Sequence, residues 1–129
     1  MLRRLGIAVF VVLFALGSSA LAIGDGITKR VRFARGKSSV TLSNSVIRGD
    51  RDTYILGAKS GQKMTVRITA VEKNAVFQIE RPDGSNLEGA GEMDDATSIS
   101  TTLPNGGDYR IVVGGTRGNA SYRLTISIR

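Results

Sequence analysis

The stretch Gln62–Thr69 reads QKMTVRIT and gives the clearest indication of the type of fold. Its apolar residues Met64, Val66 and Ile68 alternate with polar ones, so in an extended chain they fall on one face. A period of two residues is typical of a β-strand that is buried on one side and exposed to water on the other. The stretch therefore predicts a sheet with one face in a hydrophobic core.

The same alternation recurs along the chain, and turn residues separate the alternating segments. Residues 122–128 repeat the pattern, while residues 82–85 (PDGS) and 104–108 (PNGGD) supply the Pro and Gly of turns. No segment keeps a helical period for more than about two turns. Short strands at regular spacing favour a sandwich or a barrel, and we expect an all-β fold, an antiparallel β-sandwich of about eight strands. The predicted strands are 28–34, 39–47, 52–58, 63–71, 75–81, 97–103, 108–114 and 120–128.

The N-terminus has the pattern of a secretory signal peptide. Arg3 and Arg4 give a positive start, residues 5–17 are an apolar run, and residues 18–22 (SSALA) end in the small-x-small pattern of a cleavage site. A membrane anchor is the alternative, but the run is shorter than the ~20 residues that cross a bilayer. We expect cleavage after Ala22, no lipoprotein because no Cys is present, and a mature form without a membrane span. The predicted division is a signal peptide at 1–22 and a single β-sandwich domain at 23–129, in the periplasm or secreted.

The composition argues against catalysis. The 129 residues include no His, Cys or Trp, which excludes a Ser-His-Asp triad, a Cys nucleophile, a His-ligated zinc and a His general base. Glu88 and Glu92 could form a glycosidase pair, but the chain is too small for a deep cleft and has few aromatic residues to hold a sugar. We expect a protein that is not an enzyme, with no catalytic residues and no cofactor.

The segment 88–96 is the least regular part of the chain and is rich in carboxylates. A calcium ion would favour several carboxylate oxygens, but EF-hand spacing and repeated Asp-x-Asp motifs are lacking here. We expect an exposed, solvated loop and no metal site.

The basic residues indicate the class of partner. The net charge is +7, and five basic residues alternate around the first predicted strand: Lys29, Arg30, Arg32, Arg35 and Lys37. Nucleic-acid binding would require interleaved aromatic residues for stacking, and Phe33 alone lies nearby, facing the core. We therefore expect no nucleic-acid partner. A solvated strand face and a contact with an anionic cell-wall surface both remain open.

Residues 114–119 (GGTRGN) form the predicted hairpin loop between the last two strands. Arg117 lies at its tip, held between rigid strands, which suits a residue that reaches into a partner. A guanidinium pairs with a carboxylate through two parallel hydrogen bonds, so an acidic group is the natural target. The alternative is that Arg117 only keeps the loop soluble.

Four stretches of the chain resemble the bacterial periplasmic inhibitors of g-type lysozyme. They are residues 31–39 (VRFARGKSS), 47–54 (IRGDRDTY), 58–66 (AKSGQKMTV) and 103–117 (LPNGGDYRIVVGGTR). The resemblance extends over nearly all of the predicted mature chain. It implies a β-sandwich that blocks the active-site cleft of a g-type-like lysozyme by inserting loops.

The resemblance also implies which residues bind the partner. The family presents an aromatic residue just after the Gly of the 47–54 stretch and arginines in the loop before the last strand, of which Arg117 matches the first. This chain departs from that pattern, because Asp50 follows Gly49 and no second Arg precedes Tyr122. Arg51 could supply the second positive contact. The expected partner-binding residues are Gly49, Asp50, Arg51, Thr116 and Arg117.

Part of the same pattern resembles the pre-peptidase C-terminal domains, secreted β-sandwich modules usually attached to enzymes. The shared motifs are Asp52-x-Tyr54, Gly61-Gln62, residues 82–84 (PDG) and Gly107-x-Tyr109. The alternative function is therefore a stand-alone module of this type, which would bind cell-wall or outer-membrane components through its basic faces. A module that directly follows a signal peptide favours the free inhibitor.

Overall fold

The computed structural model describes residues 26–129, which form two four-stranded β-sheets packed against each other. The first sheet has the order β1-β3-β7-β5 and the second sheet the order β2-β8-β4-β6. An all-β sandwich of eight strands confirms the expected fold. The strands are β1 (Thr28–Arg30), β2 (Ser39–Val46), β3 (Arg51–Ala58), β4 (Lys63–Ala70), β5 (Ala75–Glu80), β6 (Ser98–Thr102), β7 (Gly107–Gly115) and β8 (Ala120–Ile128).

The core forms where the alternating apolar residues of the two sheets meet. Met64, Val66 and Ile68 of β4 are buried as predicted, and Thr65 and Arg67 between them are exposed. Burying one side chain of this size stabilises the fold by about 1.5–3 kcal/mol. The first sheet contributes Tyr54, Leu56, Phe77, Ile79, Tyr109, Ile111 and Val113, and β8 contributes Tyr122, Leu124, Ile126 and Ile128.

The chain crosses to the other sheet at every connection, because odd-numbered strands belong to the first sheet and even-numbered strands to the second. Each connection therefore passes from one sheet to the other, either over an end of the sandwich or, as between β5 and β6, along an open edge. This topology gathers loops that are far apart in the sequence at the same end.

Two expectations need correction. The first strand was expected at 28–34 in an antiparallel sheet, but β1 ends at Arg30 and pairs with β3 in parallel. One further bond joins the Val31 amide to the Ile55 carbonyl at 2.7 Å. The chain then leaves the sheet edge because Val31 is buried and Phe33 packs against the core.

The segment 88–96 is only partly the exposed loop that was expected. Its acidic side chains are exposed, but Ala90 and Ala96 are buried. The amides of Phe77 and Ile79 donate 2.9 Å hydrogen bonds to the carbonyls of Ala96 and Ala90. The segment thus lines the free edge of β5 and satisfies backbone groups that an edge strand would otherwise leave unpaired.

The predicted signal peptide and its cleavage after Ala22 lie outside the described residues and stay a prediction. Residues 26–129 contain no helix with the length and apolar character needed to span a bilayer.

Candidate functional site

Four loops meet at one end of the sandwich, here called the loop end: residues 47–50, 71–74, 91–96 and 116–119. The pairing register places them there. Arg51 lies opposite Gly114, and Ala75 lies opposite Gly115, so the β2–β3, β4–β5 and β7–β8 loops all begin or end beside the end of β7. The bridge between Phe77 and Ala96 brings segment 91–96 to the same end.

Asn74 holds the β7–β8 hairpin in place. Its side chain is only 3% exposed, and its amide group donates hydrogen bonds of 3.0 and 2.9 Å to the carbonyl oxygens of Arg117 and Asn119. The backbone carbonyl of Asn74 accepts a 2.9 Å hydrogen bond from the backbone amide of Thr116. Gly115 allows the close turn, because a Cβ there would lie 2.8 Å from the carbonyl oxygen of Gly118. The hairpin is therefore fixed by a buried clamp.

Arg117 is exposed at the tip of this hairpin. One guanidinium nitrogen, Nη2, donates a 2.8 Å hydrogen bond to the backbone carbonyl of Glu72 in the β4–β5 loop. Within residues 26–129 the side chain has no ion pair. The guanidinium is thus oriented by a neutral acceptor and keeps its charge and most of its donors for a partner.

The β2–β3 loop is tied to the same hairpin from the other side. The amide of Arg48 donates a 2.7 Å hydrogen bond to Oδ1 of Asn119. The loop closes on itself through a 2.9 Å bond from the amide of Asp50 to the carbonyl of Ile47. The residues expected to bind a partner are therefore carried by loops that are bonded to one another.

A depression of about 320 Å³ opens at the loop end on the outer side of the first sheet. Four of the expected partner-binding residues line it, namely Gly49, Asp50, Arg51 and Thr116. Glu92 and Asp95 also line it. Arg117 is not part of this lining and turns instead toward the β4–β5 loop. The structure thus brings the five expected residues to one end and separates Arg117 from the depression.

Three of the loops at the loop end each carry one exposed apolar side chain. Val71 is 93% exposed, Met93 is 92% exposed and Ile47 is 63% exposed. Val71 precedes Glu72, which binds the guanidinium, and Ile47 precedes Arg48, which binds Asn119. Exposed apolar side chains gathered at one end of a protein are available for contact with another protein.

A cluster of hydrogen-bonded polar side chains is buried at the start of β3, next to the loop end. Asp52, which is 1% exposed, accepts hydrogen bonds from the amide of Ile27 (3.0 Å), the side chain of Asn44 (3.2 Å) and the hydroxyl of Tyr122 (2.6 Å). The Tyr54 hydroxyl completes the chain at 2.5 Å from that of Tyr122. The cluster joins β3 to β2 and β8, and so fixes the strand that begins at Arg51.

Burial affects the two tyrosines of this cluster. Desolvation, together with hydrogen bonds to Asp52 and Tyr54, raises the pKa of Tyr122 far above its usual value. Desolvation also raises the pKa of Tyr54, and the hydrogen bond with Tyr122 opposes part of that rise. Both hydroxyls are therefore protonated at neutral pH and act as donors in the network.

The basic residues near β1 remain on the surface. Lys29, Arg32, Arg35 and Lys37 are exposed, and Arg30 forms a 2.6 Å ion pair with Asp108 of β7. Within residues 26–129 no cluster of three or more acidic side chains is arranged to hold a metal ion.

Sequence reasoning missed Asn74, Val71 and Met93. Asn74 follows Lys73, which has a positive φ of 54°, and an Asn at the end of a short turn is a signal for local capping. Nothing local could identify its partners, which lie more than 40 residues away. Val71 and Met93 are single apolar residues among polar ones, a pattern that does not distinguish exposure from burial.

No family model and no curated protein sequence matches the chain. Among solved structures, PliG of Aeromonas hydrophila, a periplasmic lysozyme inhibitor of g-type lysozyme, is 32% identical, with a TM-score of 0.68. The match covers 81% of this chain and 99% of that one. The chain belongs to the family of periplasmic g-type lysozyme inhibitors. The Salmonella Typhimurium inhibitor is 27% identical over the same share of each chain, with a TM-score of 0.64.

Membership of this inhibitor family agrees with the resemblance found in the sequence and sets the chain among proteins that are not enzymes. It also supports a periplasmic or secreted location. The pre-peptidase C-terminal domain of a Bacillus anthracis collagenase is 15% identical, with a TM-score of 0.56, covering 79% of this chain and 94% of that one. That likeness concerns the fold alone, so the inhibitor function is favoured over the stand-alone module.

Proposed function

We propose that this inhibitor-family protein blocks a g-type lysozyme by placing its loop end over the enzyme's active-site cleft. The observation that carries the proposal is Arg117. Its guanidinium is exposed at the tip of a hairpin that a buried Asn74 clamps, and it has no carboxylate partner within residues 26–129. A positive group held rigidly outside the protein surface loses little conformational entropy on binding.

The chemistry of the target suits a guanidinium. Lysozymes depend on a catalytic carboxyl group whose pKa is kept high by an apolar pocket. An inserted guanidinium would favour the ionised form of that carboxyl, lower its pKa and occupy the space of the substrate. Inhibition would thus combine a lowered pKa of the catalytic carboxyl with exclusion of the substrate from the cleft.

The surroundings of Arg117 supply the rest of the contact. Val71 and Ile47 flank the hairpin and would be removed from water on docking. The depression lined by Asp50 and Arg51 would receive a polar group from the rim of the cleft. Arg51 lies at the same end as Arg117 and is proposed as the second positive contact in place of the family's second arginine.

Measuring lysis of cell walls by g-, c- and i-type lysozymes in the presence of the purified protein tests the proposal. Inhibition of the g-type enzyme is expected, and Arg117→Ala should weaken it roughly 30-fold or more, the size typical of an interface hot spot. Arg110→Ala is the matched control, since Arg110 is exposed on β7 away from the loop end. Lack of g-type inhibition by the unaltered protein, or equal losses from both variants, would refute the proposal.

We also retain the proposal that basic outward faces of the strands contact anionic cell-wall polymers. Arg67 and Arg123 of the second sheet support it, because both are exposed, and neither forms an ion pair within residues 26–129.

A further inference from the structure

The outer face of the second sheet has an unusual composition. Its outward positions hold only Ser, Thr, Lys or Arg. The cations are Lys63, Arg67 and Arg123. The hydroxyl residues are Ser39, Thr41, Ser43, Ser45, Thr65, Thr69, Ser98, Ser100, Thr102, Ser121, Thr125 and Ser127. No carboxylate, aromatic or aliphatic side chain occurs at these outward positions of the four strands, so the face is hydroxyl-rich and purely positive.

The pairing register arranges the hydroxyls in rows across the sheet. Ser39, Ser127, Thr65 and Ser100 are successive cross-strand partners and form a row that crosses all four strands. Thr65 and Ser100 lie 3.0 Å apart through their hydroxyl oxygens, and Ser45 and Ser121 lie 2.8 Å apart. Each hydroxyl that is used within a pair retains further acceptor capacity for a ligand.

The two arginines lie within this array. Arg67 pairs with Thr125, and Arg123 pairs with Thr69, so the arginines are diagonal neighbours on adjacent strands. Such neighbours are roughly 7–8 Å apart, close enough for both to contact one ligand. A shallow depression of about 390 Å³ opens where this face meets the β4–β5 loop, and its lining consists of Ser43, Thr69, Ala70, Val71, Ser121, Tyr122 and Arg123.

The chemistry of this face selects the ligand class. Apolar side chains are lacking at the outward positions of the four strands, and Val71 reaches the depression only from the adjoining β4–β5 loop. This composition disfavours acyl chains and a stable protein interface. Aromatic side chains are also lacking, which disfavours ligands held by stacking. Hydroxyl rows with unpaired guanidinium groups instead complement a polymer that presents its own hydroxyls and amides together with carboxylates.

We infer that the outer face of the second sheet binds peptidoglycan, with Arg67 and Arg123 pairing with stem-peptide carboxylates and the Ser/Thr rows bonding to the glycan. This inference names the partner surface for the proposed cell-wall contact and is independent of lysozyme inhibition. The face adjoins the loop end at the depression that Val71 and Arg123 both line, but most of its Ser/Thr rows lie further along the strands. A protein attached to the wall through these rows would still present Arg117 to an arriving enzyme.

Co-sedimentation of the chain starting at Ile23 with purified peptidoglycan sacculi tests the inference. Binding is expected at low ionic strength and should weaken as salt screens the charges. The double variant Arg67→Ser and Arg123→Ser should lose roughly tenfold or more in affinity, because two charge-assisted contacts disappear. The control double variant Lys29→Ser and Arg110→Ser removes the same net charge from the first sheet and should bind as before.

Equal losses from the two double variants would overturn the inference, since they would indicate a general effect of net charge. Binding to vesicles containing lipopolysaccharide but not to sacculi would also overturn it. Thr65→Val with Thr125→Val removes hydroxyls at nearly constant shape, and unchanged binding would reject the role of the rows. The variants that lie away from the depression shared with Val71, Thr65→Val with Thr125→Val and Lys29→Ser with Arg110→Ser, should inhibit lysozyme as the unaltered chain does. A failure of wall binding is therefore distinguishable from a failure of inhibition.

Discussion

The buried amide of Asn74 donates a 3.0 Å hydrogen bond to the backbone carbonyl of Arg117, 43 residues further along the chain. The clamp holds the backbone of the exposed residue, while the carbonyl of Glu72 orients its side chain. Both contacts come from the β4–β5 loop. The position of the guanidinium therefore depends on the packing of this loop against the β7–β8 hairpin.

Replacing Asn74 with Ala should weaken inhibition through the position of Arg117. The carbonyls of Arg117 and Asn119 would lose their donor, at a cost to stability of about 1–3 kcal/mol. Inhibition curves for the two single variants and the double variant with Arg117→Ala measure the coupling. The double variant should inhibit no worse than Arg117→Ala alone. Fully additive losses would show that Asn74 does not act through Arg117.

Val71→Ser and Met93→Ser should each reduce the affinity for the lysozyme without lowering the melting temperature. Both side chains are almost completely exposed, so the folded protein gains little from them, and each change should alter stability by less than about 0.5 kcal/mol. Burial at an interface would make each worth roughly tenfold in affinity. Calorimetric titration with thermal melts checks both quantities. Unchanged affinity of both variants would show that the lysozyme does not contact Val71 or Met93.

Asp50→Tyr should strengthen inhibition. Asp50 occupies the place after Gly49 where the resemblance implies an aromatic residue, and it lines the depression beside Arg51. A tyrosine adds a large, rigid contact area and can raise affinity by roughly tenfold at a hot spot. The inhibition constant of the variant against the g-type enzyme is the measurement. A loss of inhibition would mean that the depression itself receives the partner.

Asp52→Asn should destabilise the fold by about 2 kcal/mol or more, because its amide nitrogen would face either the amide of Ile27 or the donors of both Asn44 and Tyr122. Urea unfolding followed by circular dichroism gives the free energy. Asp95→Asn is the control, because it changes an exposed carboxylate and should leave the free energy of unfolding nearly unchanged. Equal stability of the two variants would contradict a structural role for Asp52.

Stability should fall in alkali. Burial raises the pKa of Tyr122 and Tyr54 above that of the unfolded chain, so their contribution is complete below pH 10 and is lost as the pH rises above 10. Each tyrosine that must stay protonated should cost about 1.4 kcal/mol per pH unit above 10. Unfolding experiments at pH 9, 10 and 11 measure the slope. Tyr122→Phe should reduce this slope. An unaltered slope would show that groups other than Tyr122 cause the loss of stability.

Several features were predictable because they depend on local pattern. The alternation of Met64, Val66 and Ile68 located β4 and its buried face, and the Gly and Asn residues of 114–119 located the hairpin. The extent of β1 was not predictable, since alternation continues past Arg30 while the burial of Val31 and Phe33 takes the chain away from the sheet edge. Ala90 and Ala96 were similarly missed, because small residues give no clear signal of burial.

Side-chain alternation and turn chemistry act over a few neighbouring residues, so the class of fold, the positions of most strands, the family resemblance and the exposure of Arg117 could be read from the chain alone. Three relations came only from the folded molecule: Asn74 clamps the Arg117 hairpin, Val71 and Ile47 flank it, and Arg67 and Arg123 lie together on a sheet face without carboxylates. These relations depend on which strands become neighbours. That choice is made by packing two sheets around one core, and no short stretch of sequence contains it.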